Sequence, residues 1–147
     1  MKPAEYIGNY DSDGLKTGFG ILKWSNGIIF KGYFKRGQIN GWGIIIYLNQ
    51  DSFRGEFYDD KANGFGNYIY HNGKTQVGFW INDIFSGIGY EYNGNEYYYG
   101  VFKNGEKNGI GTFKIDRQVV YEGEWKSNNY NGIGINYEKD GNIYRGH

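Results

Sequence analysis

The chain repeats itself about every 23 residues, and this constrains its fold more than any other property. The phrase aromatic-x-Gly-x-aromatic stands at Tyr121-Glu122-Gly123-Glu124-Trp125, and nine residues after its glycine comes Gly132-Ile133-Gly134. The same two-part phrase starts at Tyr6, Phe30, Phe53, Gln76, Tyr98 and Tyr121, in steps of 22 to 24 residues, and a seventh begins at Tyr144. Nineteen of the 26 glycines fall on its fixed positions. The glycine excess is therefore periodic, and disordered low complexity does not explain it. A short fixed period means a repeat architecture.

Repeat three gives the local structure. Phe53, Gly55 and Phe57 alternate with Arg54 and Glu56, so the aromatics and the glycine share one face of a strand. After a short connection, Gly64, Gly66, Tyr68 and Tyr70 share a face of a second strand. Asn-Gly and Asp-Gly steps such as Asn72-Gly73, Asn104-Gly105 and Asp140-Gly141 supply hairpin turns. Aromatics make up 20% of the chain, and helix formers such as Ala, Leu and Met are scarce. The expected fold is all-β: an elongated single-layer antiparallel meander of repeated hairpins, with about thirteen strands. The glycines leave slots, and an aromatic from an adjacent strand is expected to lie over each one. Phe57, Trp80, Phe102 and Trp125, each two residues after its glycine, are expected to be buried.

Aromatic-x-Gly-x-aromatic followed by Gly-x-Gly, six times in register over residues 6–147, resembles the MORN (membrane occupation and recognition nexus) repeat. The departures are Gln76 in place of the opening aromatic of repeat four, that repeat's missing residue, and Asn136 and Glu138 in repeat six. The resemblance implies an elongated array with a groove along one face. It also implies a non-enzymatic protein-protein interaction scaffold or adaptor, of the kind found in cytoskeletal, ciliary and membrane-junction assemblies. Such arrays also occur as non-catalytic segments of lipid kinases and a histone methyltransferase, and the family name suggests lipid binding. Residues 1–5 read as a lead-in and 6–147 as the array. The chain stops four residues into repeat seven, which fits either a piece of a longer array or a terminal strand acting as a cap.

Other functions find no support in the residues. Net charge is zero and basic residues are scattered, which excludes a nucleic-acid footprint and argues against membrane lipid binding. The chain has no cysteine, which removes disulfides and zinc sites and fits the cytoplasm. No apolar run approaches the ~20 residues of a membrane-spanning helix. His71 sits in a predicted turn and His147 at the last position, so neither has a metal partner at useful spacing. Asp11-x-Asp13-Gly14 opens like a calcium loop, but Leu22 stands where the closing glutamate belongs. Asp59-Asp60 reads as a solvated turn. No Gly-x-Gly precedes a phosphate-binding helix. Neither an enzyme, a metal nor a cofactor is expected.

The candidate partner site lies on the face away from the aromatic row. The residues between the paired glycines are Phe19, Trp42, Phe65, Ile88, Ile110 and Ile133, an apolar stripe. Val77, Phe79, Tyr99 and Val101 widen it, where other repeats carry charged or polar residues such as Arg54 and Glu56. Trp42, Phe65, Val77, Phe79, Ile88, Tyr99 and Val101 are thus the expected contacts for a helical or extended segment of a protein partner. The competing reading is that twist and loops cover the stripe as a second thin core. Unpaired sheet edges also point to self-association. Repeat two, with Ile44-Ile45-Ile46, reads as a strand buried on both faces by neighbours or a partner, or as an aggregation-prone segment.

Overall fold

Strand follows strand from Pro3 to Gly146, joined by turns, and no helix occurs among the described residues. A computed structural model describes residues 2–141, Ala4 by its backbone alone, and the backbone of 143–146. The side chains of Tyr144 and Arg145, and all of His147, lie outside the described residues. The strands are β1 (Pro3–Tyr10), β2 (Lys16–Trp24), β3 (Ile29–Lys35), β4 (Gln38–Ile46), β5 (Ser52–Tyr58), β6 (Lys61–Ile69), β7 (Thr75–Ile81), β8 (Ile84–Asn93), β9 (Glu96–Lys103), β10 (Glu106–Ile115), β11 (Gln118–Lys126), β12 (Asn129–Tyr137) and β13 (Ile143–Gly146). They stand in chain order in one antiparallel sheet, the meander that the period predicts. β1 takes in residues 3–5, set apart above as a lead-in. The chain divides into two units, Met1–Asn72 with Trp80–Asp83, and Gly73–Phe79 with Ile84–His147.

Register explains the paired glycines. Gly20 faces Gly32, Gly32 faces Gly43 and Gly43 faces Gly55, and in the second unit Gly89, Gly100, Gly111, Gly123 and Gly134 pair in the same way. A Cβ at Gly32 would lie 2.6 Å from both the Gly43 Cα and the Phe30 Cζ. The first glycine of each Gly-x-Gly has a different task. Gly41 (φ 106°) and Gly109 (φ 112°) bend the strand through the left-handed region, beside a register shift.

Outside repeat four, the ring over each slot comes from the same strand as the slot's first glycine, not only from a neighbour as expected. Phe30 covers Gly32 two residues on and Gly43 across the ladder, and Tyr98 covers Gly100 and Gly111. A glycine two residues along a strand lies on the same face, so the ring folds flat along its own strand and reaches both. Phe30 and Tyr98 each meet two later aromatics edge-on. Phe30 packs on Phe34 at 5.4 Å and Phe57 at 5.2 Å, and Tyr98 packs on Phe102 and Trp125, both at 5.1 Å. This is the favoured quadrupolar geometry. The expected row is buried: Phe57 and Trp80 in the first unit, Phe102 and Trp125 in the second. The chain's own neighbours bury repeat two on one face only, since Ile45 faces the core while Trp42 and Ile46 stand exposed on the other side. Period-two alternation outweighs the run of isoleucines.

Turn chemistry ties each repeat to the one before. Asp59 (φ 51°) and Asp60 (φ 64°) form a two-residue turn with both residues left-handed, which Asp and Asn tolerate. Asp60 is exposed as expected, but its carboxylate is engaged: Oδ1 accepts the Ile39 N–H at 2.7 Å while its own N–H donates to the Ile39 carbonyl at 3.1 Å. Asp83 does the same for Ala62, and Asn128 for Lys107. In the first connection, Asp11 Oδ1 accepts the N–H groups of Asp13 and Leu15, both at 2.9 Å. Its carboxylate therefore organises a turn.

Asp51 is a buried carboxylate that the sequence reading did not single out. Its Oδ2 accepts the Tyr68 hydroxyl at 2.7 Å, and its Oδ1 accepts the His71 N–H at 2.8 Å with the ring Nδ1 at 3.2 Å. The Tyr68 hydrogen bond leads in holding Asp51 down to about 2 from an ordinary 3.8, against the opposing effect of burial. A carboxyl lowered on folding stabilises the fold above its unfolded pKa and loses that contribution as pH falls through the folded one. The stability advantage of the wild type over Asp51→Asn is therefore expected to hold above about pH 4 and to shrink as pH falls towards about 2. Thermal melts of both proteins across that range check this; a difference that does not change with pH would contradict it.

Candidate interaction faces

Opposite the aromatic core, each unit carries an uncovered apolar surface. All six residues between paired glycines, Phe19, Trp42, Phe65, Ile88, Ile110 and Ile133, are 46 to 63% exposed. In the first unit, Trp42 lines a cleft of about 510 Å³ with Phe19, Tyr33 and Ile44, and Lys31 and Arg54 also border it. Phe19 and Tyr33 meet edge-on at 5.7 Å. Phe65 is exposed in the same unit.

In the second unit, Phe79, Ile88 and Tyr99 are exposed, and Val77 and Val101 are half-buried. Antiparallel register sets Ile88 opposite Val101 and Tyr90 opposite Tyr99. Tyr90 and Tyr99 pack at 4.7 Å, and Tyr92 and Tyr97 at 4.9 Å. Burial, with its tyrosine neighbours, pushes the Tyr97 hydroxyl up to about 12. The sequence reading named Tyr99 but missed Tyr90, Tyr92 and Tyr97; the alternation in Tyr90-Glu91-Tyr92 and Tyr97-Tyr98-Tyr99 was the available signal.

The aromatic face holds a charged cluster that was also missed. Two residues before the paired glycines, near the start of each repeat's second strand, stand Lys16, Ile39, Ala62, Phe85, Lys107 and Tyr130. Phe85 explains the odd repeat. Gln76 leaves the glycine slot uncovered, and the Phe85 ring fills it, 3.0 Å from where a Cβ at Gly78 would be. Gln76 itself turns to Glu91, donating from Nε2 to Oε2 at 2.7 Å. Glu91 Oε1 also holds the Lys107 ammonium at 3.3 Å. That ammonium is 5.5 Å from the Tyr98 ring centroid and 5.7 Å from those of Phe113 and Trp125. Three rings and a carboxylate thus satisfy a largely buried cation. Among the described residues no cluster of His, Cys, Asp and Glu is placed to hold a metal ion.

The MORN repeat model matches residues 6–29, 30–52, 53–75, 98–115 and 121–135. The chain belongs to the MORN repeat family. The longest unmatched segment, 76–97, holds the repeat in which Phe85 replaces the opening aromatic. A search of curated proteins returned no match. Among solved structures, the chain is similar to the SAS-4 (dCPAP) TCP domain of Drosophila melanogaster, solved with a proline-rich motif of Ana2 (dSTIL). That likeness has 12% identity and a TM-score of 0.39, over 97% of this chain and 89% of the other. At that score it carries no argument about what the MORN chain binds.

Proposed function

We propose that this MORN chain is a non-enzymatic, cytoplasmic protein-interaction module. It takes a helical or extended segment of a protein partner on its outer face, within a cytoskeletal, ciliary or membrane-junction assembly. The observation that carries this reading is the exposure of all six residues between paired glycines, in contrast to the buried aromatic row. Exposed apolar surface of such regularity has no role in the core and favours contact with another protein. Trp42 and Phe65 in the first unit, and Val77, Phe79, Ile88, Tyr99 and Val101 in the second, are the proposed contacts. The assembly types come from the family resemblance, and the cytoplasmic reading rests on the absence of cysteine.

The test is Phe79→Asp combined with Tyr99→Asp, two exposed positions of the second unit. The double variant is expected to keep the wild-type far-UV spectrum. In affinity capture it loses a protein that the wild type retains, or it loses self-association in light scattering. An unfolded double variant would make this face a second core. A folded variant that keeps every partner and its oligomeric state would remove the face from function.

A further inference from the structure

The second unit shows what the aromatic face accepts where a second strand begins. Lys107 places its ammonium among Tyr98, Phe113 and Trp125. The first unit builds corresponding walls from the corresponding residues, Phe53, Tyr68 and Trp80. Phe53 and Trp80 meet edge-on at 5.2 Å and 76°, as Tyr98 and Trp125 do at 5.1 Å and 80°. Each indole N–H donates to the corresponding glycine carbonyl of the preceding repeat, Trp80 to Gly66 at 3.3 Å and Trp125 to Gly111 at 3.2 Å. The third wall is turned: Tyr68 lies at 30° to Trp80, whereas Phe113 stands at 78° to Trp125. Repeat three lacks the lysine. Ala62 holds its place, and the three rings border a cleft of about 560 Å³.

The negative charge has moved rather than disappeared. Where the second unit has Glu91 the first has Ile45, and where the second has Asn128 and Gly105 the first has Asp83 and Asp60. Asp60 and Asp83 both border the cleft. Each commits Oδ1 to a backbone N–H, of Ile39 and Ala62, and carries its charge at the rim. Burial, with Asp83 and Asp51 nearby, pushes the Tyr47 hydroxyl of the same cleft upward. Lys16 also borders the cleft, with its ammonium 5.6 Å from the Tyr6 centroid, so two carboxylates stand against one ammonium.

We propose that this cleft is a docking site for a lysine side chain presented by an extended segment of a protein partner. Lys107 identifies the occupant: the same position is filled from within in one unit and opens on a cleft in the other. Aromatic faces and nearby carboxylates favour a primary ammonium, and the cleft has room for residues flanking the lysine. The site lies on the aromatic face, so it stands or falls independently of the outer stripe.

The test is NMR titration of the labelled full chain with a short peptide of alternating lysine and serine. The same peptide with norleucine at each lysine is the control. The Trp80 indole resonance is expected to shift and saturate with the lysine peptide alone. The Trp125 resonance, whose cage Lys107 fills, stays in place. Ala62→Lys supplies the cation from within and is expected to weaken binding by at least about tenfold while the protein stays folded. Lys107→Ala is expected to make Trp125 respond. A silent Trp80, an equal response to the norleucine peptide, a matching Trp125 shift in the wild type, or undiminished binding by folded Ala62→Lys would each overturn the proposal. Should Ala62→Lys not fold, Asp60→Asn with Asp83→Asn decides, because it keeps the Oδ1 acceptors and removes the charge. Its affinity is expected to fall by roughly tenfold, and an unchanged affinity overturns the proposal.

Discussion

Trp125→Ala is expected to destabilise the chain by about 3–5 kcal/mol, the range for removing a large aromatic from a packed core. Trp125 is 5% exposed and meets Tyr98, Tyr121 and Tyr130 edge-on at 5.1, 5.4 and 4.8 Å. Its indole N–H donates to the Gly111 carbonyl at 3.2 Å, and its ring forms one wall around the Lys107 ammonium. The truncation therefore opens a cavity and strips a buried cation of a wall in the same step. Urea denaturation measures the effect through the shift in midpoint. A loss under about 1 kcal/mol would show that the row does not carry the core. Trp125→Phe keeps a ring but loses the hydrogen bond, and a smaller loss is expected, about 1–2 kcal/mol.

Gly32→Ala is the second large effect, with the opposite cause. Nothing is removed; one methyl group is added where the Gly43 Cα, the Trp42 carbonyl and the Phe30 ring all lie 2.6 Å from it. Two of the three contacts are backbone, so the neighbours give way only by parting the ladder or displacing a fully buried phenyl ring. The expected cost is about 3 kcal/mol, the upper part of the range for overpacking. Gly73→Ala is the control. Its Cβ would meet nothing within 4 Å, and only its left-handed backbone (φ 90°) resists the change. That variant is expected to lose about 1 kcal/mol. Equal losses at the two positions, read from denaturation midpoints, would mean that backbone strain and not the aromatic slot explains the paired glycines.

The hairpins, their order and the two faces of each strand were legible because they depend on spacing alone. A glycine two residues after an aromatic lies on that aromatic's face whatever the rest of the chain does, and Asn104-Gly105 marks a turn by itself. The exposure of Phe19, Trp42, Ile88 and Ile110 followed from the same alternation. What spacing could not convey was exchange between strands. Gln76 reads as a gap in the aromatic row; only the register of the folded sheet reveals that Phe85, on the next strand, closes it. Asp60 looked like a turn residue facing water, because its partner Ile39 belongs to the preceding repeat. Lys107 and Glu91 look like ordinary surface charges in isolation. A check of which charges fall on inward positions would have paired them, since Gln76, Glu91 and Lys107 all depart from the pattern on the same face. Asp51 escaped for a related reason: its partners Tyr68 and His71 lie a full hairpin away.

The account rests on one asymmetry, an aromatic core on one face of the sheet and an uncovered apolar surface on the other. The denaturation midpoint of Ile110→Lys combined with Ile133→Lys tests it most directly. Both positions lie in the second unit and are more than 60% exposed. The account predicts a loss of no more than about 1 kcal/mol, the scale of strand propensity at a solvent-facing site. A loss approaching that of Trp125→Ala would contradict it, because the outer stripe would then be core and not surface.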